Sequence, residues 1–254
     1  MTKIRILPEI LSNKIAAGEV VERPASVVKE LVENAVDAKS TRIGVDIENG
    51  GRSLIRVSDN GHGMSHDDAL LALERYATSK ILADADLYAI RTLGFRGEAL
   101  PSIAAVSRLN LVTRAAGDLS GTEIIVEGGR MTGVKDIGAP AGTMITVRQL
   151  FYNIPARRKF LKTVATEMGH IAEYLSCMAL ARPDVQFKLV HNQKTVYQWP
   201  AVTDPADRVM AVLGNDLRSM LHPIALHDDD VRIAGWISDP AETRSTSQKI
   251  HIFV

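Results

Sequence analysis

The sequence predicts an α+β fold built on a mainly antiparallel sheet, and three observations carry that expectation. Apolar residues recur at helical spacing over 24–38 and again over 167–182. Short alternating runs bounded by Gly, Asn and Pro recur between 42 and 149 and resume over 185–199. A hydrophobic content of 46% with aromatics at only 5% in 254 residues provides for one large aliphatic core or two smaller ones, hence one or two domains.

In chain order, residues 1–23 show no sustained period and read as an extended arm and loop. The helix over 24–38 opens with Pro24, which suits a first helical turn because its missing N–H is not needed there. At about 100° per residue, Val28, Leu31, Val32 and Ala35 share one face, and Glu30, Asn34 and Asp37 share the opposite one. A polar stripe of this kind is ordinarily a solvated face, so the helix alone assigns it no task. Arg42 to Glu48 alternates, Asn49-Gly50-Gly51 supplies a turn, and Ser53 to Ser58 completes a hairpin. The second strand runs into Asp59-Asn60-Gly61-His62-Gly63, and Ser65 with Asp68 forms a capping box for a helix expected over 67–77. Residues 78–97 form a loop closed by Leu93-Gly94-Phe95-Arg96-Gly97. Strands are expected at 108–113, 122–127, 131–136 and 143–149, then the helix over 167–182 and strands at 185–191 and 195–199. The pattern breaks around Pro200 to Pro205, the expected boundary between a domain at 1–203 and a second at 204–254, with a helix over 206–213 and strands near 231–236 and 249–254. The final apolar run, Ile250 to Val254, reads as a strand that continues beyond this stretch, so the second domain is expected to be incomplete.

Composition narrows the function classes. Thirty basic residues balance thirty acidic ones, so any contact with nucleic acid or a membrane surface has to come from a local patch. Cys177 is the sole cysteine, which excludes an intramolecular disulfide and disfavours a thiolate metal site. No secretory leader pattern and no apolar run of ~18 residues appear, so a cytoplasmic protein with no membrane partner is expected.

Four features ask for a joint explanation: the Glu30, Asn34, Asp37 stripe; Asp59-Asn60-Gly61-His62-Gly63; Gly94-Phe95-Arg96-Gly97; and Gly142-Thr143 at a strand start. Singly each is ordinary, since Asp-Asn-Gly is a common turn and a lone Gly-x-x-Gly usually serves the backbone. A purine nucleotide with a metal ion would use all four. An aspartate suits the exocyclic amine of adenine, glycine amides suit phosphates, and an Asn oxygen suits Mg²⁺, a hard cation. A carboxylate one turn before that Asn can deprotonate water. No P-loop pattern is present, so a nucleotide would be held in another manner.

At these residues the chain resembles the GHKL ATPase superfamily of type II topoisomerases, heat-shock chaperones, sensor histidine kinases and MutL mismatch-repair proteins. Within it the chain is similar to the N-terminal region of the bacterial MutL family. The resemblance is carried by Ile15-Ala16-Ala17-Gly18-Glu19-Val20-Val21-Glu22-Arg23-Pro24, the Glu30 to Asn34 turn, Asp59 to Gly63, Ala77-Thr78-Ser79-Lys80, Gly94 to Leu100 and Phe151 to Leu161, and it runs almost end to end. It implies a two-layer Bergerat-type sandwich with a mixed, mainly antiparallel sheet, then the start of a ribosomal S5-like domain. It further implies Glu30 as general base, Asn34 as Mg²⁺ ligand, Asp59 on the adenine amine, and Gly63 and Thr143 lining the base pocket. Residues 78–97 become an ATP lid, so that Thr78, Ser79, Gly94, Phe95, Arg96 and Gly97 are expected around the nucleotide. Asp37 is expected behind the reacting groups, and His62 and Tyr76 as bystanders.

The resemblance implies ATP and Mg²⁺ as cofactors and slow hydrolysis, weak in this stretch because the family's γ-phosphate lysine has no counterpart here. It also implies ATP-driven dimerisation and work with a mismatch-recognition protein and other repair proteins. Arg157, Arg158 and Lys159, with Lys162, are candidates for DNA phosphates, although a solvated helix start explains them equally. Two other readings compete: a nucleotide-gated interaction module with negligible hydrolysis, and a kinase of the same superfamily, which lacks a phosphoacceptor helix here.

Overall fold

A computed structural model describes residues 15, 17, 18, 20–81, 86, 88–90, 92–228, 231–240 and 250–253. Helix α1, Pro24–Asp37, precedes strands β1, Arg42–Glu48, and β2, Leu54–Asp59. Next come α2, His66–Leu71, and α3, Ala99–Ala105, then β3, Arg108–Arg114, β4, Gly121–Glu127, β5, Arg130–Ile137, and β6, Gly142–Arg148. Two helices, α4, Pro155–Phe160, and α5, Val164–Ala181, lead to β7, Gln186–His191, and β8, Lys194–Trp199. The chain continues through α6, Pro205–Leu213, and the hairpin of β9, Leu221–His227, with β10, Arg232–Ser238.

The first eight strands form one sheet in the order β5-β4-β3-β6-β2-β1-β7-β8. Every pairing is antiparallel except β1 with β7, which is parallel. A parallel pair needs a long crossover, and here everything from β2 to α5 lies between its two strands. Alternation puts Val45, Ile55, Leu111, Ile145 and Leu189 on the inner face, where they are buried with Val28, Leu31 and Val32 of α1 and Ile171 and Leu175 of α5. Burying each such side chain is worth ~1.5–3 kcal/mol. The chain thus adopts the expected mixed, mainly antiparallel sheet with helices packed on it.

Strand register gathers polar residues at one end of this sheet. Asp59 pairs with Ile43 on one side and Thr143 on the other, Thr143 pairs with Thr113, and Thr113 with Thr122. An inner-face row that is apolar elsewhere becomes polar at this end.

Several local expectations are corrected. The helix expected over 67–77 stops at Leu71, because Leu73 and Glu74 bond back to Leu70 and Leu71 in tight turns and Tyr76 takes a φ of 62°. Helix α3 and strand β9 escape the sequence reading: Pro101 disguises the helix, and Pro223 the strand. Residues 250–253 form no ladder in place of the expected strand. Residues 1–14, most of the expected arm, and 82–85, 87 and 91 of the loop lie outside the described residues. Residues 15, 17, 18 and 20 are helical rather than extended, consistent with the bond from Val21 N to Ala17 O.

Helix α6 is fastened to the larger sheet by a buried cation. Arg208 donates to the carbonyls of Ala179, Pro183, Val185 and Pro200 at 2.6–3.1 Å, and burial holds its guanidinium below the usual arginine value.

Candidate functional site

The site lies at the polar end of the inner sheet face, beside the polar stripe of α1. Pro24 sits in the first turn of α1, as its fixed φ favours. The last turn of α1 meets the Asp59–Gly63 loop, where Ala38 O accepts from His62 N at 3.0 Å. Asn60 is consumed as a staple: its Oδ1 accepts from Thr41 N and Arg42 N, and its Nδ2 donates to Thr41 Oγ1.

Asp59 has a defined setting. Its Oδ1 accepts from Ser40 Oγ at 3.0 Å and from Gly61 N at 2.8 Å. Burial pushes its carboxyl above the ordinary value, opposed by bonds from Gly61, Ser40 and the Thr143 backbone and by the charge of His62. Beside it Thr143 Oγ1 and Thr113 Oγ1 are 3.0 Å apart, and Met64 N donates to Thr113 Oγ1 at 3.0 Å. Gly63 has a φ of 68°, and a Cβ there would collide with Arg114 O, so this loop closes onto β3 only with glycine. Ser40 and Thr113 are members of the cluster that sequence reasoning missed. Neither carries a signal in the sequence, because their nearness to Asp59 depends on strand register and not on spacing.

On α1, Glu30, Asn34 and Asp37 share one side as the spacing predicts. Among the described residues the Glu30 carboxylate makes no hydrogen bond or ion pair. Asn34 Oδ1 accepts from Lys80 Nζ at 3.0 Å, and the same ammonium is 2.5 Å from Asp37 Oδ2. Asp37 also accepts from Leu93 N at 3.0 Å and from Gly94 N at 3.1 Å. One carboxylate therefore holds both the start and the end of the 78–97 loop. Glu33, ion-paired with Lys29 at 3.7 Å, has its carboxyl pushed up chiefly by burial, and the neighbouring charges of Glu30 and Asp37 add to it. Behind this patch Tyr174 of α5 donates to Lys29 O at 3.3 Å. Burial, with the Glu33 and Glu30 carboxylates, pushes its hydroxyl above the ordinary tyrosine value.

The remaining expected residues are more loosely associated. Thr78 Oγ1 accepts from Lys80 N at 3.2 Å, and Ser79 is exposed. Arg96 is exposed, with its guanidinium 5.5 Å from the centre of the Phe95 ring. Gly97 closes the loop against Ala77. His62 Nδ1 faces Gly63 O at 2.7 Å, and Tyr76 is exposed. Arg157, expected free for DNA, packs instead over Gly18, with Nη1 3.5 Å from Val21 O. Arg158 and Lys159 remain exposed.

The donor set suits a metal ion only in company with other ligands. Among the described residues no three His, Cys, Asp or Glu side chains cluster to hold one. The Asn34 oxygen nevertheless already faces a cation, the Lys80 ammonium, so its environment suits a hard cation that takes its other ligands from phosphates and water. No helix among the described residues is long and apolar enough to cross a membrane.

Comparison with known proteins gives a consistent picture. The family described as histidine kinase-, DNA gyrase B-, and HSP90-like ATPase matches residues 22–138. The DNA mismatch repair protein MutL of Geobacter sulfurreducens is 55% identical over 99% of this chain, and that of Citrifermentans bemidjiense 53% over 100%. The chain spans only 41% and 39% of those relatives' lengths. Among solved structures, the Aquifex aeolicus MutL ATPase domain complexed with ADP superposes with a TM-score of 0.68 at 34% identity, covering 82% of this chain and 73% of that one. The N-terminal domain of a DNA repair protein, at 22% identity and a TM-score of 0.77, shares the fold.

Proposed function

Because the chain belongs to the MutL family of GHKL ATPases, we propose that it binds ATP with Mg²⁺ and hydrolyses it slowly, as the nucleotide-responsive part of a DNA mismatch-repair mediator. The observation that carries the reading is the half-buried Asp59 carboxylate, fixed by Ser40 and Gly61 beside the Thr113–Thr143 pair, at the end of the sheet where α1 presents Glu30 and Asn34. Asp59 accepts from the adenine amino group, and Gly63 and Thr143 flank the base. Asn34 holds the metal, which when bound neutralises phosphate charge. Thr78, Ser79 and Gly94 to Gly97 line the phosphates.

Glu30 carries the chemistry in this proposal. A water oxygen bonds to the γ-phosphorus as the bond to the β,γ-bridging oxygen breaks, and the water proton passes to the Glu30 carboxylate, leaving ADP and phosphate. General-base assistance of this kind contributes about 10²–10⁴ in rate. Loop 78–97 closes over the nucleotide, and closure favours a dimer that engages a mismatch-recognition protein and other repair proteins. Arg158 and Lys159 are available to DNA phosphates. Residues 204–254 are assigned to a second domain on the strength of the separate β9–β10 sheet, with α6 held to the first by Arg208.

Calorimetric titration tests the reading. ADP with Mg²⁺ is expected to bind, GDP is expected to bind far more weakly, and Asp59→Ala is expected to abolish the difference. Equal binding of both nucleotides, or ADP binding untouched by Asp59→Ala, would overturn it.

A further inference from the structure

The tightest polar cluster on α1 is built around a lysine from the loop. Lys80 Nζ lies 2.5 Å from Asp37 Oδ2 and 3.0 Å from Asn34 Oδ1, and the two charged side chains are only 19% and 8% exposed. Asp37 is heavily engaged, since its Oδ1 receives Leu93 N and its Oδ2 receives Gly94 N as well as the ammonium. Thr92 Oγ1 donates to Gly94 O at 2.7 Å, and Thr78 Oγ1 accepts from Lys80 N, so both approaches to the cluster are ordered by their own side chains. A single ammonium thus sits where α1 meets both ends of the loop, on the amide oxygen proposed as the metal ligand.

An ammonium on Asn34 Oδ1 competes with a metal ion for the same oxygen, because the two cations repel at short range and a hard metal also needs water or phosphate oxygens in the same space. We propose that Lys80 is an internal cation that competes with metal at Asn34: its ammonium satisfies Asn34 and Asp37, and a metal ion bound at Asn34 would take its place. The proposal rests on the nucleotide reading for its purpose, but not for its geometry. It explains why a half-buried acidic helix face tolerates a carboxylate as sheltered as Asp37, since a buried charge is costly unless paired. It also makes the same side chain a barrier to metal binding in the absence of nucleotide, so that the protein takes up its metal together with the phosphates and not before them. Asp37 keeps the Leu93 and Gly94 amides after the exchange, which leaves the end of the loop anchored while its beginning is released.

The test uses Mn²⁺ alone as probe, read by electron paramagnetic resonance on nucleotide-free protein. Lys80→Met is expected to bind Mn²⁺ at least tenfold more tightly than the unmodified protein, and Asn34→Ala in the Lys80→Met background is expected to remove that gain. Lys80→Gln, which keeps two N–H donors for Asn34 and Asp37 and so protects folding, is expected to give the same direction of change. Lys80→Arg, retaining the charge, is expected to bind no better than the unmodified protein. Folded Lys80→Met or Lys80→Gln with unchanged Mn²⁺ affinity, or a gain that survives Asn34→Ala, would overturn the proposal. A parallel ADP titration of the unmodified protein separates the two questions, because failure to bind ADP rejects the nucleotide reading and leaves the Mn²⁺ result to decide the role of Lys80.

Discussion

Tyr76 N donates to Gly97 O at 3.2 Å, so the loop that begins after Ala77 is drawn together at its neck. Gly97 has a φ of 63°, and a Cβ there would lie 2.5 Å from Ala77 O, with no flexible side chain to yield. Gly97→Ala is therefore expected to open the neck, at a cost of about 1–3 kcal/mol for the strained backbone. The Tyr76 amide should then exchange its hydrogen faster, and ADP affinity should fall. Unchanged exchange and affinity in this variant would show that the neck plays no part in binding.

The half-buried Asp59 carboxylate sets function against stability. Burial raises its folded-state value above the unfolded one. The folded protein thus holds the proton more readily, and the stability this contributes is lost as pH rises through the raised value. Asp59→Asn keeps an oxygen for Ser40 and Gly61 but carries no charge. It is expected to melt at a higher temperature than the unmodified protein at pH 7, and the gain should vanish below the ordinary carboxylate range. Nucleotide affinity should fall by about 1–3 kcal/mol, since the amide nitrogen presents a donor to the adenine amine. Melting curves between pH 4 and 8 with parallel ADP titrations check both halves.

Glu30 makes no hydrogen bond or ion pair among the described residues, so its replacement should disturb the fold little. Glu30→Gln is expected to lower turnover by about 10²–10⁴ while leaving ADP affinity within twofold, an order-of-magnitude expectation for loss of a general base. Phosphate release and calorimetry on one preparation decide this, and equal losses of binding and turnover would remove Glu30 from the chemistry.

The basic segment of α4 divides into unlike parts. Arg157 is engaged with Gly18 and Val21, whereas Arg158 and Lys159 are exposed. If the exposed pair meets DNA phosphates, replacing either by Ala should lower the slope of log affinity against log salt by about 0.9. Arg157→Ala should leave that slope unchanged and instead loosen the Val21 N to Ala17 O bond, read as faster exchange at the Val21 amide. A salt slope indifferent to Arg158 and Lys159 would exclude this patch as a DNA contact.

Much of this molecule was legible in the amino-acid order because the relevant signals are local. The 3.6-residue period put Glu30, Asn34 and Asp37 opposite Leu31 and Val32, period-two alternation found every strand of the large sheet with β8 beginning slightly earlier than expected, and Ser65 announced the start of α2. Where α2 ends was not legible, since its last expected turn is given up so that Tyr76 can meet Gly97. Nor could spacing show that Ser40 and Thr113 join Asp59, that β1 runs parallel to β7, that Arg157 turns to the arm, or that Asp37 binds a lysine and two amides across the loop. Ser40 and Asp59 are 19 positions apart in the sequence, and Val21 and Arg157 are 136 apart, well beyond the reach of any local period. Such relationships arise from strand register and from competition among polar groups for few buried partners, and both are settled only when the whole chain packs.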